Sequence, residues 1–179
     1  MQKKGIALYN RLNAASIDKR PDGLHVTLTD GSVQTVDRIL FAIGRRPLSG
    51  GIGLEQAGVE LNADGSVIVD DFSRTSVPNI YAVGDVTNRF NLTPVALAEG
   101  MALADTLFNG KPTKPDYSNI PTAIFSQPAV ATVGLTEERA RADYAAVDIY
   151  KSSFRPMKQT LSRRDERTMM KLVVDSDSD

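Results

Sequence analysis

Cysteine is absent from the 179 residues, so no disulfide framework, thiolate metal site or cysteine nucleophile can come from this chain alone. Histidine occurs once, at His25 in the alternating stretch LHVTL, a setting that marks it as a strand residue rather than a ligand or base. No apolar run approaches the ~20 residues of a membrane-spanning helix, and the opening MQKKGIALYN lacks the long apolar core of a secretory signal. A soluble, cytoplasmic protein without a membrane partner is the expectation. An excess of one charge is missing as well. The 21 Lys and Arg against 22 Asp and Glu leave a net −1, which gives no reason to expect nucleic acid as a partner. Basic residues do gather in SSFRPMKQTLSRRDERTMMK, but Asp165 and Glu166 lie among them, and the stretch reads as a solvated mixed-charge face.

What is present begins with alternation. ALYNRLNAASIDKR, LHVTLTDG and SVQTVDRILFAIG are separated by Pro21-Asp22-Gly23 and Asp30-Gly31, which predicts antiparallel hairpins. The stretch from Arg38 to Ile43 is nearly continuous in apolar character, the pattern of a strand buried on both faces. Gly51-Ile52-Gly53 imitates the start of a dinucleotide fingerprint. Gln56 stands where its third glycine belongs and no strand feeds the turn, so a loop with a helical turn around Leu54 to Ala57 is expected instead.

Two short strands, ADGSVIVDD and NIYAVGD, follow. Beyond them TPVALAEGMALADTLFNG has helical recurrence, with Thr93 read as the N-cap, Pro94 as the first helical residue and Gly110 as the stop. KPTKPDYSN is a turn-rich linker and a domain boundary. After it come two β-prone runs in PTAIFSQPAVATVGL, a helix capped by Thr136, and strands in AVDIYKSSF and MMKLVVD. The two ends leave two readings open: flexible tails on a compact fold, or a piece of a longer protein.

The chemistry concentrates in NIYAVGDVTNRFNLTPVALAEG. A carboxylate at the end of a buried strand costs several kcal/mol unless hydrogen-bonded or wet, and the carboxyl ends of strands in open α/β sheets form the crevice where ligands bind. Asp85 suits the hydroxyls of a polyol or ribose, and Gly84 lets a ligand or backbone come close. The helix start at Thr93 offers unsatisfied amides with about half a positive charge, suited to the electron-rich edge of a flavin. A turn followed by an ordinary helix start explains the same residues without any ligand.

Here the chain resembles a family. Thr75-Ser76-Val77-Pro78-Asn79-Ile80-Tyr81-Ala82-Val83-Gly84-Asp85 is similar to the second FAD-binding motif of the flavin disulfide reductases, and Phe41-Ala42-Ile43-Gly44-Arg45-Arg46-Pro47 is similar to the motif that returns their NADPH domain to the FAD domain. Leu92-Thr93-Pro94-Val95-Ala96 and the stretch from Phe125 to Glu137 narrow the resemblance to the glutathione reductase branch.

The resemblance implies a combined α/β and α+β fold in three parts. Residues 1–44 would close an NADPH-binding domain, 45–115 the returning part of a Rossmann-like FAD domain, and 116–179 the first half of a dimer-interface domain. It implies FAD and NADPH as cofactors, glutathione disulfide as substrate and a homodimer. By position, Asp85 with Gly84 would hold the ribityl hydroxyls. Thr93, between Leu92 and Pro94, would present its amide to the flavin edge. Gly44 would lie where the strand tip of the NADPH domain nears the cofactor, Asn91 and the backbone around Ala123 would line the nicotinamide side, and Met157 would contact glutathione.

Two departures qualify it. Eight positions past Thr93, where many glutathione reductases carry an arginine that contacts a substrate carboxylate, this chain has Met101. Trypanothione reductases lack that arginine but usually have leucine where Met157 stands; mercuric ion and dihydrolipoamide enzymes are further alternatives. The family's cysteine pair, its Gly-x-Gly-x-x-Gly and its His-Pro with a downstream glutamate are all missing. The chain is therefore read as an internal fragment, inactive alone, with a non-catalytic flavin-binding or dimerising remnant as the other reading.

Overall fold

A computed structural model describes residues 1–162 and 165–178, in two compact units, Met1–Pro115 and Asp116–Asp179. The first unit opens with an antiparallel meander, β1 (Ala14–Arg20), β2 (Gly23–Leu28) and β3 (Val33–Val36). Asp18 lies opposite His25, and Leu24 opposite Val36, as the turn signals predicted. The first turn needs its glycine. Gly23 has φ +138°, and a Cβ there would stand 3.1 Å from the carbonyl oxygen of Val36 on the arriving third strand. His25 is a strand residue as expected, its Nε2 3.0 Å from the Asp22 carboxylate, and this hydrogen bond is the main reason Asp22 titrates below the usual carboxylate range.

The buried strand expected at Arg38–Ile43 is not there. The segment has no strand pairing, and Leu40 and Ile43 are 89% and 88% exposed. A doubly buried strand needs neighbours on its edges and layers on its faces, and no described residue supplies them. The strands read in ADGSVIVDD and NIYAVGD likewise shrink to single bridges, Leu61 with Val67 and Arg74 with Tyr81.

Loop hydrogen bonds knit these pieces together. Ile68 N–H donates to Glu60 C=O at 3.1 Å, Ala82 N–H to Ser73 C=O at 3.0 Å, and Val67 N–H to Val86 C=O at 2.9 Å. The helical turn near Leu54 is present, with Ala57 N–H donating to Gly53 C=O at 3.0 Å. Val59, Val67, Val95 and Ala102 form the buried apolar centre of this part.

α1 (Thr93–Phe108) is capped by Leu92, not Thr93, so the expected start moves by one residue. Leu92 is extended (φ −130°, ψ 129°) and its carbonyl accepts from Val95 and Ala96, while Thr93 is already helical and offers no side-chain cap. Pro94 falls in the first turn, where no intrahelical N–H is needed. Gly110, at φ +61°, follows the helix end, and Lys111 N–H donates back to Asp105 C=O at 3.2 Å. Lys114 then ties the linker down: its ammonium is 2.8 Å from Asp71 and 4.9 Å from the Phe72 ring centroid.

In the second unit, β4 (Thr122–Ile124) pairs with β5 (Val130–Thr132), and β6 (Val147–Phe154) with β7 (Thr168–Asp175), both antiparallel. α2 (Glu137–Asp143) starts as predicted, with Thr136 Oγ1 accepting from Arg139 N–H at 3.2 Å. Glu137 holds Lys171 of β7 at 2.6 Å and Arg141 at 3.0 Å, and those two cations, Lys171 foremost, lower its carboxyl pKa. The basic stretch folds partly into α3 (Met157–Ser162), an element its charge pattern did not suggest. Arg155 Nη2 donates to Gln159 C=O at 3.0 Å and Gln159 Nε2 to Glu166 at 3.0 Å; Arg163 and Arg164 of the same stretch lie outside the described residues. A cleft of about 1240 Å³ opens among β4, β5, α2, β6 and β7, with Val130, Val133 and Leu172 on its wall.

Candidate cofactor site

Gly84 begins the site because of what it lacks. Its φ is +73°, and a Cβ would come within 3.1 Å of the Ala96 Cβ on α1. Glycine is therefore favoured by the left-handed backbone, and the close seating on the helix leaves little room for a side chain. A 3-10 turn, Gly84–Thr87, follows, held by Thr87 Oγ1 donating to Gly84 C=O at 2.8 Å and by Asn88 N–H donating to Asp85 C=O at 3.1 Å. Asp85 is thus not the end of a buried strand. It is an exposed carboxylate in the first turn of a short helix, carried beside the start of α1.

Asn88 ends the turn in the left-handed region (φ 52°) and starts a polar relay. Asn91 Nδ2 donates to Asn88 Oδ1 at 2.8 Å, and Asn88 Nδ2 donates to Asp64 Oδ2 at 2.8 Å. Asp64 Oδ1 accepts from the Ser66 hydroxyl at 2.7 Å and the Ser66 N–H at 2.9 Å. The Ser66 hydroxyl, then its N–H, then Asn88 hold the Asp64 pKa down to about 2.

Beneath the turn lies a pair that the sequence reading missed. Glu99, 1% exposed, accepts the Gly84 N–H on Oε2 at 2.6 Å, and its Oε1 is 3.3 Å from Arg89 Nη2. Arg89 also reaches Asp70 C=O and Ser73 Oγ, each at 3.5 Å. The signal was available: Val95, Glu99 and Ala102 recur at helical spacing on the buried face of α1, and a glutamate in such a stripe needs a partner.

Gly84, Asp85, Asn91, Leu92, Thr93 and Pro94 are therefore gathered in one turn-and-helix unit. Met101 lies further along α1 and is 72% exposed. Gly44 sits in the exposed connection after β3 with φ +117°, where a Cβ would meet open space. Ala123, opposite Ala131 in β4, and Met157, the 89% exposed first residue of α3, belong to the second unit. Among the described residues, no acidic, histidine or cysteine cluster could hold a metal ion, and no helix is long and apolar enough to cross a membrane.

Comparison with known proteins shows the family in which this glycine turn, helix start and set of small antiparallel sheets occur. Residues 1–100 match the family described as pyridine nucleotide-disulphide oxidoreductase, and residues 120–179 match that family's dimerisation domain. The chain belongs to the pyridine nucleotide-disulphide oxidoreductase family. It is 49% identical over 179 residues to a glutathione reductase of Burkholderia cepacia, covering 100% of this chain and 40% of that protein.

A chloroplastic/mitochondrial glutathione reductase of Pisum sativum is also 49% identical, over 175 residues, 97% of this chain and 32% of the relative. A trypanothione reductase of Trypanosoma congolense is 43% identical over 173 residues, 96% and 35% respectively. Among solved structures, the HOCl-induced flavoprotein disulfide reductase RclA of Escherichia coli superimposes with a TM-score of 0.81 at 29% identity, over 91% of this chain and 38% of that one. The chain spans 32–40% of the length of these relatives. The family and the mixed α/β class expected from the motifs are both borne out.

Proposed function

We propose that these residues form part of an NADPH-dependent, FAD-containing reductase of glutathione disulfide. The observation that carries this is the Gly84–Asp85 turn, an exposed carboxylate next to a left-handed glycine (φ +73°) seated tightly against α1. That cradle fits the ribityl chain and ring edge of a flavin. Asp85 would accept from the ribityl hydroxyls, and the backbone of Leu92, Thr93 and Pro94 at the start of α1 would face the pyrimidine edge, where helix amides favour negative charge. FAD, when bound, supplies hydride acceptance from the nicotinamide and delivery of electrons toward the disulfide.

Residues 1–44 are assigned to the NADPH-binding part, 45–115 to the FAD-binding part and 116–179 to the subunit interface of a homodimer in the cytoplasm. Gly44 is assigned to the strand tip of the NADPH-binding part near the cofactor, Asn91 and the backbone around Ala123 to the nicotinamide side, and Met157 and Met101 to the substrate side. The 179 residues contain no cysteine, so the thiol–disulfide step falls to residues beyond them, and this chain alone supplies none of the catalytic groups. Trypanothione disulfide is the second substrate reading, favoured by Met101 where an arginine would meet a glutathione carboxylate.

One set of measurements on the whole reductase tests both. Asp85→Ala is expected to lower flavin retention on purification, and unchanged flavin occupancy and melting temperature would remove the ribityl assignment. Turnover by the wild type should favour glutathione disulfide over trypanothione disulfide; the reverse preference would replace the substrate.

A further inference from the structure

A glutamate buried to 1% exposure is rare without a partner, and two partners of Glu99 lie at telling places. One is the N–H of Gly84, the residue directly before Asp85; the other is the guanidinium of Arg89, just past the end of the turn. Glu99 therefore holds both ends of the segment 84–89 from a single position on α1. The segment needs such a hold, because Gly84 lacks the Cβ that would restrict its backbone. With Thr87 Oγ1 on the Gly84 carbonyl, the residue is fixed on both its N–H and its C=O. A 2.6 Å bond from an amide to a carboxylate is also of the stronger, charge-assisted kind.

We propose that Glu99 is the positioning residue of the Asp85 turn, setting, through Gly84 and Arg89, the angle at which the turn offers its carboxylate to the ribityl hydroxyls. This rests on the flavin reading above. Glu99 does not touch the cofactor; it acts through the peptide next to the residue that does. A leucine of similar size would fill the stripe between Val95 and Ala102 but leave the Gly84 amide without its acceptor.

The test uses the whole reductase, with FAD titrated into apoprotein, the visible circular dichroism of the bound flavin, and hydrogen exchange at the Gly84 amide. Glu99→Ala is expected to weaken FAD binding about tenfold or more, speed Gly84 exchange by a similar factor and change the flavin dichroism. Glu99→Gln, which keeps an acceptor oxygen at the same reach, should recover at least half of each loss on a logarithmic scale. FAD affinity and Gly84 exchange both within about twofold of wild type in Glu99→Ala overturn the proposal. Weakened FAD with unchanged Gly84 exchange and no recovery by Gln overturns it too, because it marks Glu99 as packing alone. Asp85→Asn separates the premises. If it leaves FAD affinity intact, the ribityl reading fails, and the Gly84 exchange of Glu99→Ala then decides whether Glu99 holds the turn.

Discussion

A carboxylate can serve a ligand only if the fold leaves its oxygens accessible, and the acidic residues around the Gly84 turn divide on this point. Asp64 is engaged by Ser66 and Asn88, and Glu99 by Gly84 and Arg89, while Asp85 faces solvent. The engaged Asp64 carries a pH signature. Its pKa in the fold, about 2, lies below the usual 3.8, so the ionised form is favoured by folding. A depressed pKa contributes stability above the unfolded value and loses it as pH falls through the folded one. In urea titrations, the advantage of wild type over Asp64→Asn should be constant from about pH 7 to about pH 5 and shrink between about pH 4 and about pH 2. An advantage that grew on acidification would show that the Ser66 and Asn88 bonds do not favour the charged form.

Local chemistry decided which elements were legible. Thr136 has an extended backbone, an acidic first turn after it and its hydroxyl on Arg139 N–H, and all of that is readable from TEERARAD. Thr136→Ala should cost about 1 kcal/mol and speed hydrogen exchange at the Arg139 amide, and Thr136→Ser should restore most of it. A silent Thr136→Ala would show that ion pairs from Glu137 to Lys171 and Arg141 hold the helix start unaided. The meander was legible for the same reason, through Pro21-Asp22-Gly23. Thr93 misled because a threonine before proline looks like a cap, whereas here the extended Leu92 fills that place. Arg38–Ile43 misled because apolar continuity states what a segment needs and not whether its partners are at hand. Asp85 is marked by its place after an apolar run and by the motif around it, while only its spacing from Val95 and Ala102 on α1 marks Glu99.

At the scale of the whole molecule, flavin binding needs more than the turn. The 179 residues hold Asp85 and the start of α1 but no Gly-x-Gly-x-x-Gly to grip a pyrophosphate. The isolated chain, purified without added flavin, is therefore expected to be colourless and to show no micromolar affinity in an FAD fluorescence titration. Stoichiometric yellow absorbance would show that the Gly84–Asp85 cradle suffices.

The unpaired stretch Ile39-Leu40-Phe41-Ala42-Ile43 has a consequence of a different kind. It is a five-residue window of β-prone side chains without charge or proline, and much of it faces water. Such a window is what holdase chaperones grip and what seeds intermolecular sheets. For a polypeptide limited to these residues, lifetime in a cell would be governed by triage between refolding machinery and proteases.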